Sequence, residues 1–176
     1  DIPRMKCPWK EWGEAGLLTL VDDVEIHPAY LTDYIAEKKR EFNIEKLALD
    51  EFRYTLLSDA LKVLGFDAKN YKNVKLVRPS DIMRVAPVID SCFVNHFFVW
   101  GDNPVLRWAV NNTKLVRSNR KIGKADDADM GNFVYGKIEA KSRKTDPFMA
   151  LVASMVIEDE LPAVRRKKPK FQVYTF

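Results

Sequence analysis

The sequence predicts a layered α/β domain with an added β-hairpin, and three patterns carry that prediction. Between residues 28 and 77 two amphipathic helical stretches alternate with two short apolar runs, the order expected of parallel strands joined by a helical crossover. Between residues 114 and 139 two alternating runs flank a charged, glycine-containing loop, which reads as an antiparallel pair with a long tip. Residues 147–157 form a strongly apolar helical stretch.

In chain order, residues 17–21 and 24–26 are apolar enough to supply at least one early strand. Leu31, Tyr34 and Ile35, spaced by charges, predict a helix over 28–40. The run 45–50, following Asn43 and ending in Asp50, has the length and apolar character of a buried parallel strand. Leu56, Leu57, Ala60, Leu61 and Leu64 predict the next helix, with Gly65 where a C-terminal cap belongs. Residues 74–77 read as the second parallel strand. A helix is expected from Ser80 and Asp81 through Phe93, with Pro87 kinking or delaying it. Asn103 followed by Pro104 predicts a capped short helix bearing Val105 and Trp108. The hairpin strands are placed at 114–117 and 132–139, and the last helix starts with Asp146 as its N-cap and Pro147 behind it. The basic tail 163–176 is expected to be loose, leaving 1–162 as one domain.

A chain of 176 residues with 47% apolar content suffices for one packed core. No apolar run approaches the roughly 20 residues of a membrane span, and the charged, proline-containing first ten residues do not read as a signal peptide. Neither membrane nor secretion is expected. Cys7 and Cys92 lie far apart and beside no histidine pair, which fits reduced thiols and excludes a sequence-recognisable zinc or disulfide framework. The net charge of +4 is mild, but Lys and Arg crowd into 114–144 and 165–170, which is compatible with a polyanion partner and more often marks a solvated face.

Two carboxylates stand out. Asp50 ends a predicted parallel strand, the edge where open α/β sheets place their ligands. Asp146 opens the last helix, immediately behind Lys141, Arg143 and Lys144. Either could be an ordinary helix cap. If the fold brings them together, their hard oxygen donors suit Mg²⁺ or Mn²⁺, and two such ions about 4 Å apart can activate water against a phosphodiester. A separation beyond about 10 Å would be too great for that chemistry. Asp126, Asp127 and Asp129 do not complete a calcium loop and read as a solvated hairpin tip. His27 and His96 are isolated and read as structural, Cys92 as core, and no P-loop stretch is present.

Several phrases resemble, in order, the large terminase subunits of tailed phages. Trp9 and Trp12 with Gly16-Leu17-Leu18-Thr19 are similar to that family's tryptophan-glycine-leucine lead-in, and residues 44–50 resemble its strand ending in a metal-binding aspartate. Asn103-Pro104-Val105-Leu106-Arg107-Trp108 with Asn111 or Asn112 resembles its N-P-x-L-x-W-x-x-x-N segment. Lys137-Ile138-Glu139, Arg143-Lys144-Thr145-Asp146 and Ala150 resemble the phrase that carries its last aspartate. The resemblance implies the C-terminal RNase H-like nuclease domain: a mixed sheet flanked by helices, cutting concatemeric double-stranded DNA during genome packaging in the bacterial host cytoplasm. Asp50 and Asp146 are then the catalytic metal ligands for two Mg²⁺ or Mn²⁺ ions, and a small terminase subunit and the portal protein are implied partners. Lys114, Arg117, Arg120, Lys121, Lys141, Arg143 and Lys144 are the expected DNA-binding cations.

The family's first aspartate lies upstream of the lead-in, on the first strand of its nuclease domain. The chain begins at the lead-in, so the expectation is an incomplete metal site and weak or absent cutting. Asp22 and Asp23 fall where the family places no ligand and read as turn residues. The rival reading is a non-catalytic DNA-binding or docking module of the packaging machine, with both aspartates as caps. An RNase H-like resolvase or integrase is disfavoured by the tryptophan phrases.

Overall fold

The structure is a computed structural model that describes residues 4–118 and 132–161. In chain order the elements are α1 (Trp9–Glu14), α2 (Pro28–Glu41), β1 (Leu47–Asp50), α3 (Glu51–Val63), β2 (Val74–Val77), α4 (Pro79–Val94), α5 (Pro104–Asn111), β3 (Thr113–Arg117), β4 (Phe133–Lys137), α6 (Asp146–Val156) and a 3-10 turn (Glu158–Glu160). β1 and β2 form a parallel pair, with Leu47 opposite Val74 and Asp50 opposite Val77. β3 and β4 form a separate antiparallel pair, with Leu115 opposite Tyr135.

Side-chain alternation along the parallel pair explains how helices come to lie on both of its faces. Leu47, Leu49, Val74 and Leu76 share one face and pack with Ile35 of α2, Leu57 and Leu61 of α3, and Phe66. Val77, on the opposite face, joins a second core built from Val85 and Ile89 of α4, Ala109 of α5, and Phe148, Val152 and Val156 of α6. Leu61, Ile89, Val152 and Val156 are fully buried, and each fully buried aliphatic side chain of this size is worth about 1.5–3 kcal/mol of transfer free energy. Asp50 lies on the Val77 face, toward α6.

Local chemistry accounts for most element ends. α2 starts with Pro28 and ends in Lys38, Lys39 and Arg40, cations that suit the negative end of a helix dipole. Beyond α3, Gly65 takes φ +84°, a left-handed conformation that a side chain would strain. Asn103 caps α5 by accepting the Leu106 N–H at 3.0 Å. α4 runs unbroken through Pro87, although proline forfeits the bond to the Met83 carbonyl. Burial of Met83, Val85, Ala86 and Ile89 around that turn outweighs the lost bond.

Two expectations are corrected here. Residues 17–21 and 24–26 form no strand, and Trp9–Glu14 is a helix instead. The N–H groups of Leu17 and Leu18 both donate to the Trp12 carbonyl, at 2.8 and 3.2 Å, so they close the end of α1 and are not available to a ladder. Leu17, Leu20, Val24 and Ile26 are exposed, so no buried face selects a strand there. Asp22 and Asp23 do lie in this irregular stretch, and Asp23 accepts the Tyr30 hydroxyl at 2.7 Å. The second correction concerns the last helix: Thr145 occupies the N-cap position, and Asp146 is the first helical residue.

Within the antiparallel pair, a Cβ at Gly136 would stand 2.7 Å from Cγ2 of Val116. Val116 is β-branched and cannot swing aside easily. Gly136→Ala is expected to lower unfolding stability by about 1–3 kcal/mol. Denaturation midpoints should show the loss recovered when Val116→Ala is added, because that change removes the opposing methyl groups.

Candidate active site

β1 runs directly into α3 with no intervening loop, so Asp50 is both the last strand residue and the N-cap of the helix. One carboxylate oxygen, Oδ1, accepts the Phe52 N–H at 2.8 Å, and the side chain remains exposed. The cap reading of Asp50 is therefore correct, and one carboxylate oxygen is still left over. Asp146 is also exposed, in the first turn of α6. It has no side-chain hydrogen bond or ion pair among the described residues.

The structure brings these two residues, far apart in sequence, to one open cleft of about 630 Å³. Its walls are Asp50 and Arg53 from the start of α3, Tyr135 to Lys137 from the end of β4, and Thr145, Asp146, Met149 and Ala150 from α6. Asp50 and Arg53 are one helical turn apart, as are Asp146 and the Met149-Ala150 step, so each helix start presents a single edge to the cleft. Negative side chains are favoured at both helix starts, where unpaired backbone N–H groups face outward. Among the described residues, no group of three or more acidic, histidine or cysteine side chains is gathered as a metal cluster.

Behind Asp146 stands a buried clamp. Asn112, with no exposed surface, donates from Nδ2 to the Lys144 carbonyl at 3.1 Å and accepts from Arg143 Nη1 at 3.0 Å. Its own carbonyl accepts the Ile138 N–H at 2.8 Å. One asparagine thus ties the end of α5 to the turn after β4 and to the residues that lead into α6. Glu139 sits on the outer side of this turn, 3.7 Å from Arg143 Nε and 3.4 Å from Lys6 Nζ. The Ser142 hydroxyl, followed by Lys6, holds its carboxyl below the usual glutamate range. Lys6 also offers its carbonyl to Trp108 Nε1 at 3.1 Å, and Trp12 packs edge-on against Trp108 with ring centres 5.7 Å apart. The two tryptophan phrases thus meet on one side of the clamp.

No family model and no curated protein matches the chain. A solved structure does: the crystal structure of the HK97 bacteriophage large terminase superposes with a TM-score of 0.68 at 20% sequence identity, over 86% of this chain and 29% of that one. The chain has the fold of part of a phage large terminase. It spans less than a third of that terminase's length. Helices flanking small sheets, as described above, are the arrangement that resembles that structure.

Among the described residues, the predicted cations of this terminase-like fold do not form one surface. Lys114 and Arg117 are both exposed on β3, but their odd spacing puts them on opposite faces of the ladder. Lys141 is exposed and Lys144 half-buried, and both belong to the turn held by Asn112. Arg143 is spent on Asn112 and Glu139, so its first role is structural. Arg120, Lys121, the cluster Asp126, Asp127 and Asp129, and the tail 163–176 lie outside the described residues. Of the two histidines, His27 sits at the N-cap position of α2 without a side-chain cap bond, and His96 turns the chain after α4 at φ +55°. Cys92 is half-buried, less enclosed than a core cysteine.

Sequence reasoning passed over Arg53 and Tyr135 as cleft residues and met Lys137 only within a family phrase. Arg53 carried one usable signal, its place three residues after a strand-ending aspartate. Tyr135 is half-buried against α4 and Phe148, and its hydroxyl donates to the Ala86 carbonyl at 3.4 Å. Burial, followed by the charge of Asp90, pushes its phenol up to about 12. A raised pKa favours the neutral phenol in the folded state. That contribution to stability is whole below the unfolded tyrosine value of about 10 and is lost as pH climbs through about 12. Unfolding curves between those limits should show a smaller alkaline loss for Tyr135→Phe than for the wild type.

Proposed function

We propose that the chain is the endonuclease domain of a phage terminase large subunit, cutting concatemeric double-stranded DNA during genome packaging in the host cytoplasm. The observation that carries this reading is that Asp50 and Asp146, exposed at two helix starts, line a single cleft. The fold likeness to a phage large terminase supports it independently of the carboxylates. RNase H-like topology, a packaging partnership with a small subunit and portal, and a domain boundary at residue 162 belong to the same proposal.

The donor set fits a hard divalent cation. Among the described residues Asp146 makes no competing bond, and Asp50 gives one oxygen to its cap and keeps another. Asp50 and Asp146 would hold Mg²⁺ or Mn²⁺, with water completing the shell that two carboxylates leave open. When bound, such ions supply activation of water and charge neutralisation at a phosphodiester. The chain's own residues do the rest: the two helix starts fix the carboxylates, Asn112 sets the segment that leads to Asp146, and Met149 and Ala150 add apolar lining. Exposed Lys114, Arg117 and Lys141 would make sequence-independent phosphate contacts, as would Arg120 and Lys121.

Calorimetric titration of Mn²⁺ into the chain, paired with a cutting assay of the full-length protein on linear duplex DNA, tests the reading. Saturable Mn²⁺ binding that depends on Asp50 and Asp146 is expected. Absence of such binding would leave the DNA-binding or docking module as the better description.

A further inference from the structure

The cleft holds two cations as well as two carboxylates, and the cations have no assigned purpose. Arg53 is exposed on the first turn of α3, and Lys137 is the last residue of β4, on the same face of that strand as Tyr135. Neighbouring cations are matched with acids: Arg78 with Glu51 at 3.0 Å, Lys62 with Asp59 at 2.8 Å, and Arg143 with Glu139 at 3.7 Å. Arg53 and Lys137 are in no ion pair or side-chain hydrogen bond among the described residues, not even with the aspartates that share their cleft. Opposite charges held in one cleft without neutralising each other suit a ligand that itself brings both signs.

A phosphodiester accompanied by a divalent cation is such a ligand. The cation answers the carboxylates, and the phosphate oxygens answer Arg53 and Lys137. Once a divalent ion sits on Asp50 and Asp146, the charge of the cleft becomes positive, and attraction for a polyanion rises with it. The two cations differ in kind. Arg53 offers a planar fork that can take two oxygens of one phosphate, and Lys137 offers a point charge from the other wall.

We propose that Arg53 and Lys137 form a clasp for backbone phosphates of duplex DNA, holding the strand over Asp50 and Asp146. The proposal rests on the endonuclease reading for its ligand. It differs from the scattered cations of β3 and the 138–145 turn in placing the contact inside the cleft.

The test measures binding of a short DNA duplex to the chain in Ca²⁺ across a salt series from about 50 to 200 mM. Arg53→Gln and Lys137→Gln are each expected to make the plot of log affinity against log salt shallower by about 0.9, the share of one phosphate contact. Arg53→Lys and Lys137→Arg should keep the wild-type slope, because they keep the charge. Mn²⁺ affinity should stay within about twofold of wild type in the glutamine variants, since both aspartates remain. Unchanged slopes in both glutamine variants overturn the clasp. If the slopes fall but Asp50→Asn leaves Mn²⁺ affinity unchanged, the metal reading fails and the phosphate contact stands. Dimethyl phosphate, a diester that stays soluble with Ca²⁺, added as competitor should displace the duplex no better than plain salt of equal ionic strength. Displacement at clearly lower concentration would point to a small-anion pocket and overturn the duplex assignment.

Discussion

Replacing either Asp50 or Asp146 with asparagine is expected to weaken Mn²⁺ binding at the cleft at least tenfold and to cut DNA hydrolysis by the full-length protein by more than about 100-fold, the upper range for losing even an outer partner of a metal ligand. The asparagine variants are informative because they separate two roles of the same residue. Asn caps a helix about as well as Asp, so Asp50→Asn keeps the bond from Phe52 N–H and leaves α3 intact. Asp50→Ala loses the cap too and should cost about 1 kcal/mol of stability besides. Asp146 is exposed and has no hydrogen bond to lose among the described residues, so Asp146→Asn should move the melting temperature by no more than about 1–2 °C, the response to a change within about 0.5 kcal/mol. Activity that falls while melting temperature holds is the signature of ligands; cutting unchanged in both variants removes the endonuclease proposal and returns both residues to plain helix starts.

Asn112→Ala should produce the largest loss of stability of any single polar change here, about 2–4 kcal/mol, or roughly 5–12 °C in melting temperature. Asn112 is fully buried and serves three segments, and truncation strands the Lys144 carbonyl and one Arg143 N–H without their partner. Asn112→Asp keeps the acceptor for Arg143 but turns the other side-chain atom into an oxygen facing the Lys144 carbonyl, so it should rescue only part of the loss. Because Lys144 and Thr145 lead into Asp146, Mn²⁺ affinity should fall together with stability in Asn112→Ala. Circular dichroism melting and Mn²⁺ titration on the same protein check both halves. A variant that melts early yet binds Mn²⁺ as tightly as wild type would confine Asn112 to holding the fold.

Much of this architecture was legible without coordinates, and the reason is locality. Strand β2 is Val74–Val77 as the apolar run indicates, α2 starts at Pro28, and α5 follows the Asn103-Pro104 cap, because each depends on residues within a turn or two of one another. Residues 17–26 misled for the same reason. Their apolar pattern is real, but a strand needs a partner and a buried face, and the N–H groups of Leu17 and Leu18 are already committed to Trp12. Asp146 was one position off as a cap, which shifts nothing in the cleft but leaves the carboxylate free of a capping bond.

What the sequence determined by itself is the kind and order of elements and the presence of acidic residues at a strand end and a helix start, since capping, periodicity and turn chemistry act over a few residues. Only the tertiary structure decided that Asp50 and Asp146 share a cleft, that Asn112 and not Asn111 is the buried clamp, and that Arg53 and Lys137 join the carboxylates. Those outcomes follow from how β1, β4 and α6 pack together across long stretches of chain, and packing between distant segments leaves no local period in the sequence to read.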